Sequence, residues 1–271
     1  MLARIITMLV CVPIIFASTY FGGLAFLALV LVLALFSINE FYLSMKKKGF
    51  DPVFVLGNFF TIFFLVIAYL ALKKNWEPAH SAVLTFAVII TLGYGIFLKN
   101  KKESTLNIAV TVFGIIYVGW MFSYLMFIRD LTPPTACIPG AYLYFLMITI
   151  WANDIASYII GIKFGKTKLC PNISPKKTVE GAVAGFIVCL IAAVIFGYLI
   201  DTQWPYALLL GAIVGVVAQI SDLVESLIKR DVGIKDSSLV LPGHGGVLDR
   251  MDSFILTAPV MYYYLVWLLQ K

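Results

Sequence analysis

The sequence predicts an all-α integral membrane protein with about nine transmembrane helices and a cytoplasmic N-terminus. Of the 271 residues, 62% are hydrophobic and only 13% are charged. The mean hydropathy is +0.99, which lies outside the range of soluble globular proteins. Uncharged runs of about 20 residues recur along the chain, and a helix needs this length to cross a bilayer. The basic residues segregate to one side of these runs, and this segregation sets the predicted orientation.

The predicted helices follow from the uncharged runs in chain order. No charged residue occurs from Ile5 to Asn39, and this stretch is too long for one span. We divide it into two helices at the polar, glycine-containing segment from Ser18 to Gly23. The other predicted spans are Pro52 to Leu72, Ser81 to Leu98, Ser104 to Ile128, Tyr142 to Ile162, Gly181 to Ile200, Thr202 to about Ile228 and Ser253 to Gln270.

The distribution of positive charge predicts which loops face the cytoplasm. With the N-terminus inside, 16 Lys and Arg residues lie on the cytoplasmic side, and only Lys73, Lys74, Arg129 and Lys271 lie outside. Lys and Arg are retained preferentially on the cytoplasmic side of membranes. The net charge of +6 therefore fits anionic lipid headgroups and phosphorylated substrates, and we expect no nucleic-acid partner.

We divide the chain into an N-terminal transmembrane region, residues 1–130 with spans one to five, and a C-terminal catalytic region, residues 131–271 with spans six to nine. Pro133 and Pro134 mark a rigid outer loop at this boundary. In the first region, Glu40 lies near a helix end, and we interpret it as an interfacial cap or as a partner for a nearby Lys. The residues capable of chemistry lie in the second region.

Polar residues interrupt the sixth predicted span shortly before its cytoplasmic end. Asn153 and Asp154 are adjacent there. A carboxylate at membrane depth is costly unless it is paired, so an intramembrane acid indicates a functional site. The alternative is a structural ion pair with a Lys of the following loop.

A second polar segment leads into the seventh predicted span. Ser174 and Pro175 suit a turn or a helix start, because Pro fixes φ and supplies no backbone N–H. Lys176 and Lys177 would then lie beside helix-terminal amides, a favourable arrangement for phosphate. An ordinary cytoplasmic loop would also contain lysines, so this segment alone does not identify a site.

The end of the eighth predicted span carries a polar stripe on one helix face. Its members follow the helical spacing i, i+3, i+4, i+7 and i+8, and they are Asp222, Glu225, Ser226, Lys229 and Arg230. Such a stripe on an otherwise apolar helix is expected to face a hydrated cavity rather than lipid.

The segment between the eighth and ninth spans combines acids, cations and a glycine-rich turn. Its acids, together with Asp222, are Asp236, Asp249 and Asp252, and such hard oxygen ligands suit Mg²⁺. Zinc is not expected, because the chain has no His/Cys cluster. Lys229, Arg230, Lys235 and Arg250 can neutralise phosphates, and the turn at residues 242–246 allows close backbone approach. The combination predicts phosphoryl-type transfer, although His244 could instead be a structural hydrogen-bond donor.

The spacing of these residues resembles a known family. The pattern S-L-I-K-R-x4-K-D-x-S-x2-L-P-x-H-G-G-V-x-D-R-M-D, from Ser226 to Asp252, resembles the motif of phosphatidate cytidylyltransferases, also called CDP-diacylglycerol synthases. N-D-x-x-S-Y-x-x-G at Asn153 to Gly161 and S-P-K-K-T-x-E-G at Ser174 to Gly181 are similar to two further segments of that family. The N-terminal spans resemble the family only in being apolar.

The resemblance implies an enzyme that converts CTP and phosphatidic acid to CDP-diacylglycerol and pyrophosphate. It implies a requirement for Mg²⁺, with K⁺ as a candidate assisting ion. The expected metal ligands are Asp222, Asp249 and Asp154, and the expected catalytic residues are Asp222, Asp249, Lys229, Arg230, Lys176, Lys177 and Arg250. The expected substrate-binding residues are Ser174, Thr178, Glu180, Ser226, Lys235, Asp236, His244, Gly245, Gly246 and Asn153. The expected location is a bacterial inner membrane, with the site facing the cytoplasm and a homodimer as a candidate assembly.

Two other functions stay open from the sequence. A CTP-dependent polyprenol or lipid kinase could use the same residue types to transfer the terminal phosphoryl group instead. A transporter could also contain intramembrane carboxylates, but it predicts inverted repeats and a midplane site. Here the charged residues cluster at one membrane face and in one half of the chain, which favours the enzyme.

Overall fold

The computed structural model describes residues 2–74, 78–97, 104–133, 138–238, 240 and 245–269. Its helices are α1 (Leu2–Phe21), α2 (Gly23–Lys47), α3 (Phe54–Lys74), α4 (Pro78–Ile96), α5 (Ser104–Gly114), α6 (Met121–Asp130), α7 (Ala141–Phe164), α8 (Val179–Leu199), α9 (Trp204–Val232) and α10 (Leu248–Leu269). A π-helical segment, Ile115–Trp120, joins α5 to α6.

The predicted class, an all-α integral membrane protein, is confirmed. In the part of the chain that the structure describes, seven helices are long and apolar enough to cross a membrane. They are Gly23–Lys47, Phe54–Lys73, Ala79–Ile96, Ser104–Asp130, Ala141–Phe164, Val179–Leu199 and Trp204–Val232. The segment Leu9–Phe21 is apolar but shorter. The count of nine spans is therefore not confirmed and stays a prediction.

A two-stranded antiparallel hairpin separates α7 from α8. Its strands are β1 (Lys168–Cys170) and β2 (Ser174–Thr178), and Lys168 pairs with Thr178 while Cys170 pairs with Ser174. The interpretation of Ser174 and Pro175 as a turn or helix start is therefore wrong, since both belong to β2. The helix begins only after Thr178, whose extended backbone and side-chain hydroxyl form the N-cap of α8.

The residues group into two compact units. Unit 1 comprises Met1–Phe127 and Asp231–Met251, and unit 2 comprises Ile128–Arg230 and Asp252–Lys271. The segment Asp231–Met251 thus packs with the N-terminal helices. The division into regions at residue 130 stays a prediction.

Unit 1 is built around Tyr42 of α2. This side chain is fully buried, and its hydroxyl donates to the carbonyl of Thr111 at 2.8 Å. Gly57 of α3 and Gly114 of α5 lie against the ring, where an added Cβ would overlap it. Two glycines therefore allow three helices to close around one tyrosine.

Unit 2 is built on the close packing of α7 against α8. Gly181 and Gly185 of α8 face α7, and a Cβ on Gly185 would lie 2.7 Å from the carbonyl oxygen of Asn153. Gly161 of α7 lies on the same contact surface, where a Cβ would approach Thr178 to 3.2 Å. Small residues thus bring the two backbones together, as is common between transmembrane helices.

Candidate active site

An ion pair in unit 2 joins two of the polar segments identified in the sequence. Lys177 lies on β2, and its ammonium group contacts Asp222 Oδ2 of α9. Both side chains are a little under one third exposed, so water and small anions can reach them. A cation suited to phosphate and a carboxylate suited to a metal therefore lie in direct contact.

Two carboxylates of unit 2, Asp222 and Asp154, lie close enough to Asp252 to interact with it electrostatically. Asp252 precedes the predicted ninth span, and burial raises the pKa of its carboxyl group. The negative charges of Asp222 and Asp154 raise this pKa further, whereas Lys229 lowers it. The Ser221 hydroxyl also donates to the Asp252 carbonyl and accepts from the Leu256 N–H at 3.2 Å, which fixes the start of α10 in this unit against α9.

Asn153 is held in place by α9. Its side chain is buried, and its Oδ1 accepts a hydrogen bond of 2.9 Å from Gln219 Nε2. Gln219 also donates to the carbonyl of Ala182 on α8 at 2.9 Å. The amide of Asn153 in turn donates to Asp154 Oδ1 at 3.3 Å. One glutamine therefore connects three helices and orients the residue next to the predicted metal ligand Asp154.

The polar stripe of α9 makes several contacts within unit 2. Glu225 is buried, and its Oε2 lies 2.6 Å from Lys229 Nζ, one helical turn away. Arg230 donates from Nε to the carbonyl of Ile173 in the hairpin turn at 3.1 Å. The stripe thus fixes the hairpin to the end of α9, and Lys177 and Asp222 make the neighbouring contact.

Thr178 and Glu180, both predicted to bind substrate, make contacts that define the start of α8. Thr178 is buried, and its hydroxyl accepts from the Gly181 N–H at 3.2 Å. The Glu180 carboxylate accepts from the N–H groups of Lys166 and Thr167 at 3.1 and 3.0 Å. These two side chains connect the end of α7, the hairpin and α8.

Asp249 belongs to unit 1, where it closes the segment that precedes α10. Its carboxylate accepts from the N–H of Ser237 at 3.1 Å and from the N–H of Gly246 at 2.8 Å. Gly245 has a φ of 84°, and a Cβ there would lie 2.7 Å from Asp249 Oδ2. The motif glycine is therefore required by both its backbone conformation and its contact with the predicted metal ligand.

The remaining predicted residues differ in exposure. Lys176, Lys235, Asp236 and Arg250 are exposed, Ser174, Ser226 and Gly245 are intermediate, and Gly246 is buried. Lys176 and Lys177 are neighbours on β2, and successive strand residues point to opposite faces, so only Lys177 reaches Asp222. His244 lies outside the described residues.

The fit of Mg²⁺ to these residues depends on its ligand preference. Among the described residues, no group of three or more His, Cys, Asp or Glu side chains is arranged to hold a metal ion. Mg²⁺ does not require such a group, because it keeps several waters and uses one or two carboxylates with substrate phosphates. The hard carboxylate oxygens of Asp222 and Asp154 are of the ligand type that Mg²⁺ prefers.

Sequence reasoning missed two contacts that shape these segments. Ser237, a motif residue, hydrogen-bonds through its N–H to Asp249 and through its hydroxyl to Glu40. Glu40 lies in α2, far from the motifs in the sequence, and the only signal was an acid within an apolar helix. Asp252 was one of the four acids noted in the sequence, but the spacing of these acids did not indicate that Asp252 would interact with Asp222 and Asp154.

Comparisons with known proteins agree with the motif resemblance. A sequence model of the cytidylyltransferase family matches residues 2–268. The chain is 31% identical to a phosphatidate cytidylyltransferase of Synechocystis over 98% of this chain and 97% of that protein. It is 32% identical to the phosphatidate cytidylyltransferase of Bacillus subtilis, over 97% and 96%. It is 32% identical to that of Staphylococcus haemolyticus, over 96% and 95%.

Proposed function

The chain belongs to the cytidylyltransferase family, and we propose that it transfers the cytidylyl group of CTP to phosphatidic acid at the cytoplasmic face of a bacterial inner membrane. The products are CDP-diacylglycerol and pyrophosphate. The similarity to phosphatidate cytidylyltransferases over nearly the full length supports this activity. The bacterial relatives and the apolar helices support the location.

The chemistry of this transfer places few demands on acid–base groups. An oxygen of the lipid phosphate attacks the α-phosphorus of CTP, and the bond to the β-phosphate oxygen breaks as pyrophosphate leaves. A phosphomonoester has a second pKa of about 6, so the nucleophile is largely ionised near neutral pH. The protein must bring two anions together and stabilise the charge on the leaving group.

The contact that carries the proposal is the Lys177–Asp222 ion pair. Asp222 neutralises Lys177 in the absence of substrate, and both side chains are partly exposed. A nucleotide with a divalent cation can replace these partners, since phosphate takes up the ammonium group and the cation takes up the carboxylate. Lys229, Arg230 and Lys176 of unit 2 supply further positive charge for the phosphates in this proposal. Arg250 of unit 1 stays a sequence-based prediction as a catalytic residue.

The proposed ion is Mg²⁺, with Asp222 and Asp154 as ligands from unit 2. The grouping of Asp154 and Asp222 around Asp252 supports a cation here, because a divalent ion would offset the repulsion of Asp252 by these two acids. When bound, Mg²⁺ would neutralise developing negative charge on phosphate oxygens. Asp249 of unit 1 remains a sequence-based prediction as a ligand, as do an assisting K⁺ and a homodimer.

The nucleotide-binding role is proposed for the segment of unit 1 with Lys235, Asp236, Gly245 and Gly246, together with His244. The left-handed conformation of Gly245, which is partly exposed, supports a close approach of a ligand to the main chain there. Gly246 is buried, and its N–H is bonded to Asp249. Ser174, Ser226 and Asn153 stay proposed substrate contacts in unit 2, whereas Thr178 and Glu180 have structural contacts that account for their positions.

The test is an assay of the purified protein in detergent with CTP, labelled in the α-phosphate, and phosphatidic acid. We expect the label in CDP-diacylglycerol and an equal amount of unlabelled pyrophosphate. Chelation of Mg²⁺ should abolish product formation, and added Mg²⁺ should restore it. Phosphatidic acid and a polyprenol are tested in parallel. Release of CDP with phosphorylation of the alcohol, or no nucleotide-linked lipid at all, would overturn the proposal.

A further inference from the structure

Glu40 of α2 is a buried carboxylate that accepts four hydrogen bonds within unit 1. It is 3% exposed. Its Oε1 accepts from the Ser238 hydroxyl at 2.5 Å and from the Val247 N–H at 3.0 Å. Its Oε2 accepts from the Ser237 hydroxyl at 3.1 Å and from the Leu248 N–H at 2.8 Å. Each oxygen therefore receives one hydroxyl and one backbone amide.

The four donors lie at the two ends of one segment. Ser237 and Ser238 lie at its start, and Val247 and Leu248 lie at its end, where Leu248 is the first residue of α10. This segment lies within the long C-terminal motif, and Glu40 is 197 to 208 residues away from its donors. A single carboxylate from the N-terminal helices thus joins residues 237–238 to residues 247–248 of the motif.

Asp249 makes a second connection between the same two parts of the motif, since it accepts from Ser237 and from Gly246. The N–H of Ser237 donates to Asp249 while the hydroxyl of Ser237 donates to Glu40. Gly246 separates the two carboxylates, and a Cβ there would lie 2.5 Å from Glu40 Oε2. The position of Asp249 is therefore tied to the position of Glu40 through Ser237 and Gly246.

Glu40 also provides a hydrogen-bond acceptor at the N-terminal end of α10. The first N–H groups of a helix have no partner within it, and a negative charge there is favourable. Glu40 accepts from the N–H of Leu248, the first residue of α10, and from the N–H of Val247 just before it. Two lysines near the end of α2 have other acidic partners, since Lys46 contacts Asp51 at 3.8 Å and Lys48, just after the helix, contacts Asp231 at 2.5 Å. The expectation of a Lys partner for Glu40 is therefore replaced by a cap on α10.

We propose that Glu40 is a positioning residue for nucleotide transfer, which holds residues 237–238 and residues 245–248 together in the active enzyme. It acts through Ser237, Gly246 and Asp249 and does not itself touch the substrate. This inference rests on the proposed function, because it assigns the segment to the nucleotide. It also gives the N-terminal helices a role in catalysis, and the family match includes these helices although the motifs of the sequence do not.

The first test is the steady-state kinetics of Glu40→Gln. The glutamine side chain has the same shape as glutamate, but its NH₂ group cannot accept hydrogen bonds. The two donors that face this group therefore lose their acceptor, and we expect the residues that carry them to shift. We expect kcat to fall about 10-fold or more, because a displacement of about 1 Å in a catalytic group can cost about 100-fold. We also expect the KM for CTP to rise several-fold while the KM for phosphatidic acid stays within about two-fold. A loss of folded enzyme lowers the apparent kcat but leaves both KM values unchanged.

The second test reads the segment directly by hydrogen–deuterium exchange in detergent. In Glu40→Gln, we expect faster exchange in peptides that contain Val247 and Leu248, whose amides lose an acceptor. Peptides from α7 and α8 should exchange as in the unaltered protein. This measurement does not depend on turnover. It can therefore show that the positioning role of Glu40 is wrong independently of whether the proposed enzymatic activity is right.

The matched control is Ser37→Ala. Ser37 is also a buried polar residue of α2, but its hydroxyl donates within the same helix, to the carbonyl of Leu33. We expect its kinetics and exchange to match those of the unaltered protein. If Glu40→Gln does not fold, the Ser237→Ala/Ser238→Ala variant removes two of the four donors and leaves the carboxylate, and it should reproduce the rise in the KM for CTP. Unchanged KM values together with unchanged exchange of the segment, in whichever variant folds, would overturn the proposal.

Discussion

At the scale of single residues, the Lys177–Asp222 ion pair has a functional rather than a stabilising value. Partly exposed ion pairs contribute about 0 to 1 kcal/mol to the free energy of unfolding, because water screens the charges. The pair is therefore a weak reason for the fold of unit 2. Its value lies in placing a cation and a carboxylate where phosphate and a metal ion can exchange partners with them.

Asp222→Asn should separate these two roles. We expect the specific activity to fall by about 100-fold or more, a loss typical of removing one electrostatic contact to the transition state. The melting temperature in detergent should change little, since the ion pair is weak. The assay of CDP-diacylglycerol formation and a thermal melt of the same preparation measure both quantities.

The matched control for this variant is Lys48→Met. Lys48 and Asp231 also form a partly exposed ion pair, at 2.5 Å, but neither is a predicted site residue. Its removal should leave activity within about two-fold, because the pair is surface-screened. Activity of Asp222→Asn close to that of Lys48→Met would show that Asp222 has no role in the reaction.

At the scale of elements, the hairpin and the start of α8 depend on one N-cap. Thr178→Ala removes the hydroxyl that accepts from the Gly181 N–H. We expect a loss of about 1 kcal/mol in the free energy of unfolding, as is typical for an N-cap. Thr178→Ser keeps the hydroxyl and should restore most of this loss. The thermal stability and activity of both variants in detergent provide the measurement.

The outcome for Thr178 decides between capping and substrate binding. If capping is its role, activity per folded enzyme should be nearly unchanged in Thr178→Ala at a temperature well below its melting point. A large fall in activity without a fall in stability would instead support the sequence-based assignment to substrate binding.

The contact between α7 and α8 depends on the absence of a side chain at Gly185. A Cβ there would lie within 2.8 Å of two oxygens of Asn153. Gly185→Ala should therefore destabilise the protein by about 1 to 3 kcal/mol, the usual cost of overpacking. Gly93→Ala in α4 is the control, because nothing lies within 4 Å of its added Cβ. A melting temperature for Gly185→Ala equal to that for Gly93→Ala would contradict this packing.

At the scale of the whole molecule, the predicted membrane topology can be tested by chemical labelling of two exposed positions, which shows on which side of the membrane each lies. In a variant without native cysteines, Lys168→Cys in the hairpin should react with a membrane-impermeant maleimide only after the cells are opened. Gln203→Cys, in the turn before α9, should react in intact cells. These outcomes follow from the excess of Lys and Arg around the hairpin. The opposite labelling pattern would invert the proposed orientation of the active site.

The sequence determined the class of protein and much of the list of site residues. Uncharged runs of about 20 residues indicate membrane helices because a bilayer cannot hydrogen-bond an exposed backbone. The motif from Ser226 to Asp252 identified the family because its spacing is specific. The sequence was less informative about local form, since Ser174 and Pro175 fit a helix start as well as the strand that they form.

The tertiary structure decided which of these residues contact each other. Lys177 and Lys176 are adjacent in sequence, but strand geometry directs only Lys177 to Asp222. Gln219 reaches Asn153 and Ala182 only because glycines bring α7 and α8 together. Glu40 meets a motif segment about 200 residues away, and no local pattern records such a contact. A sequence specifies the chemistry of each side chain, but the partners of a buried acid depend on how distant segments pack.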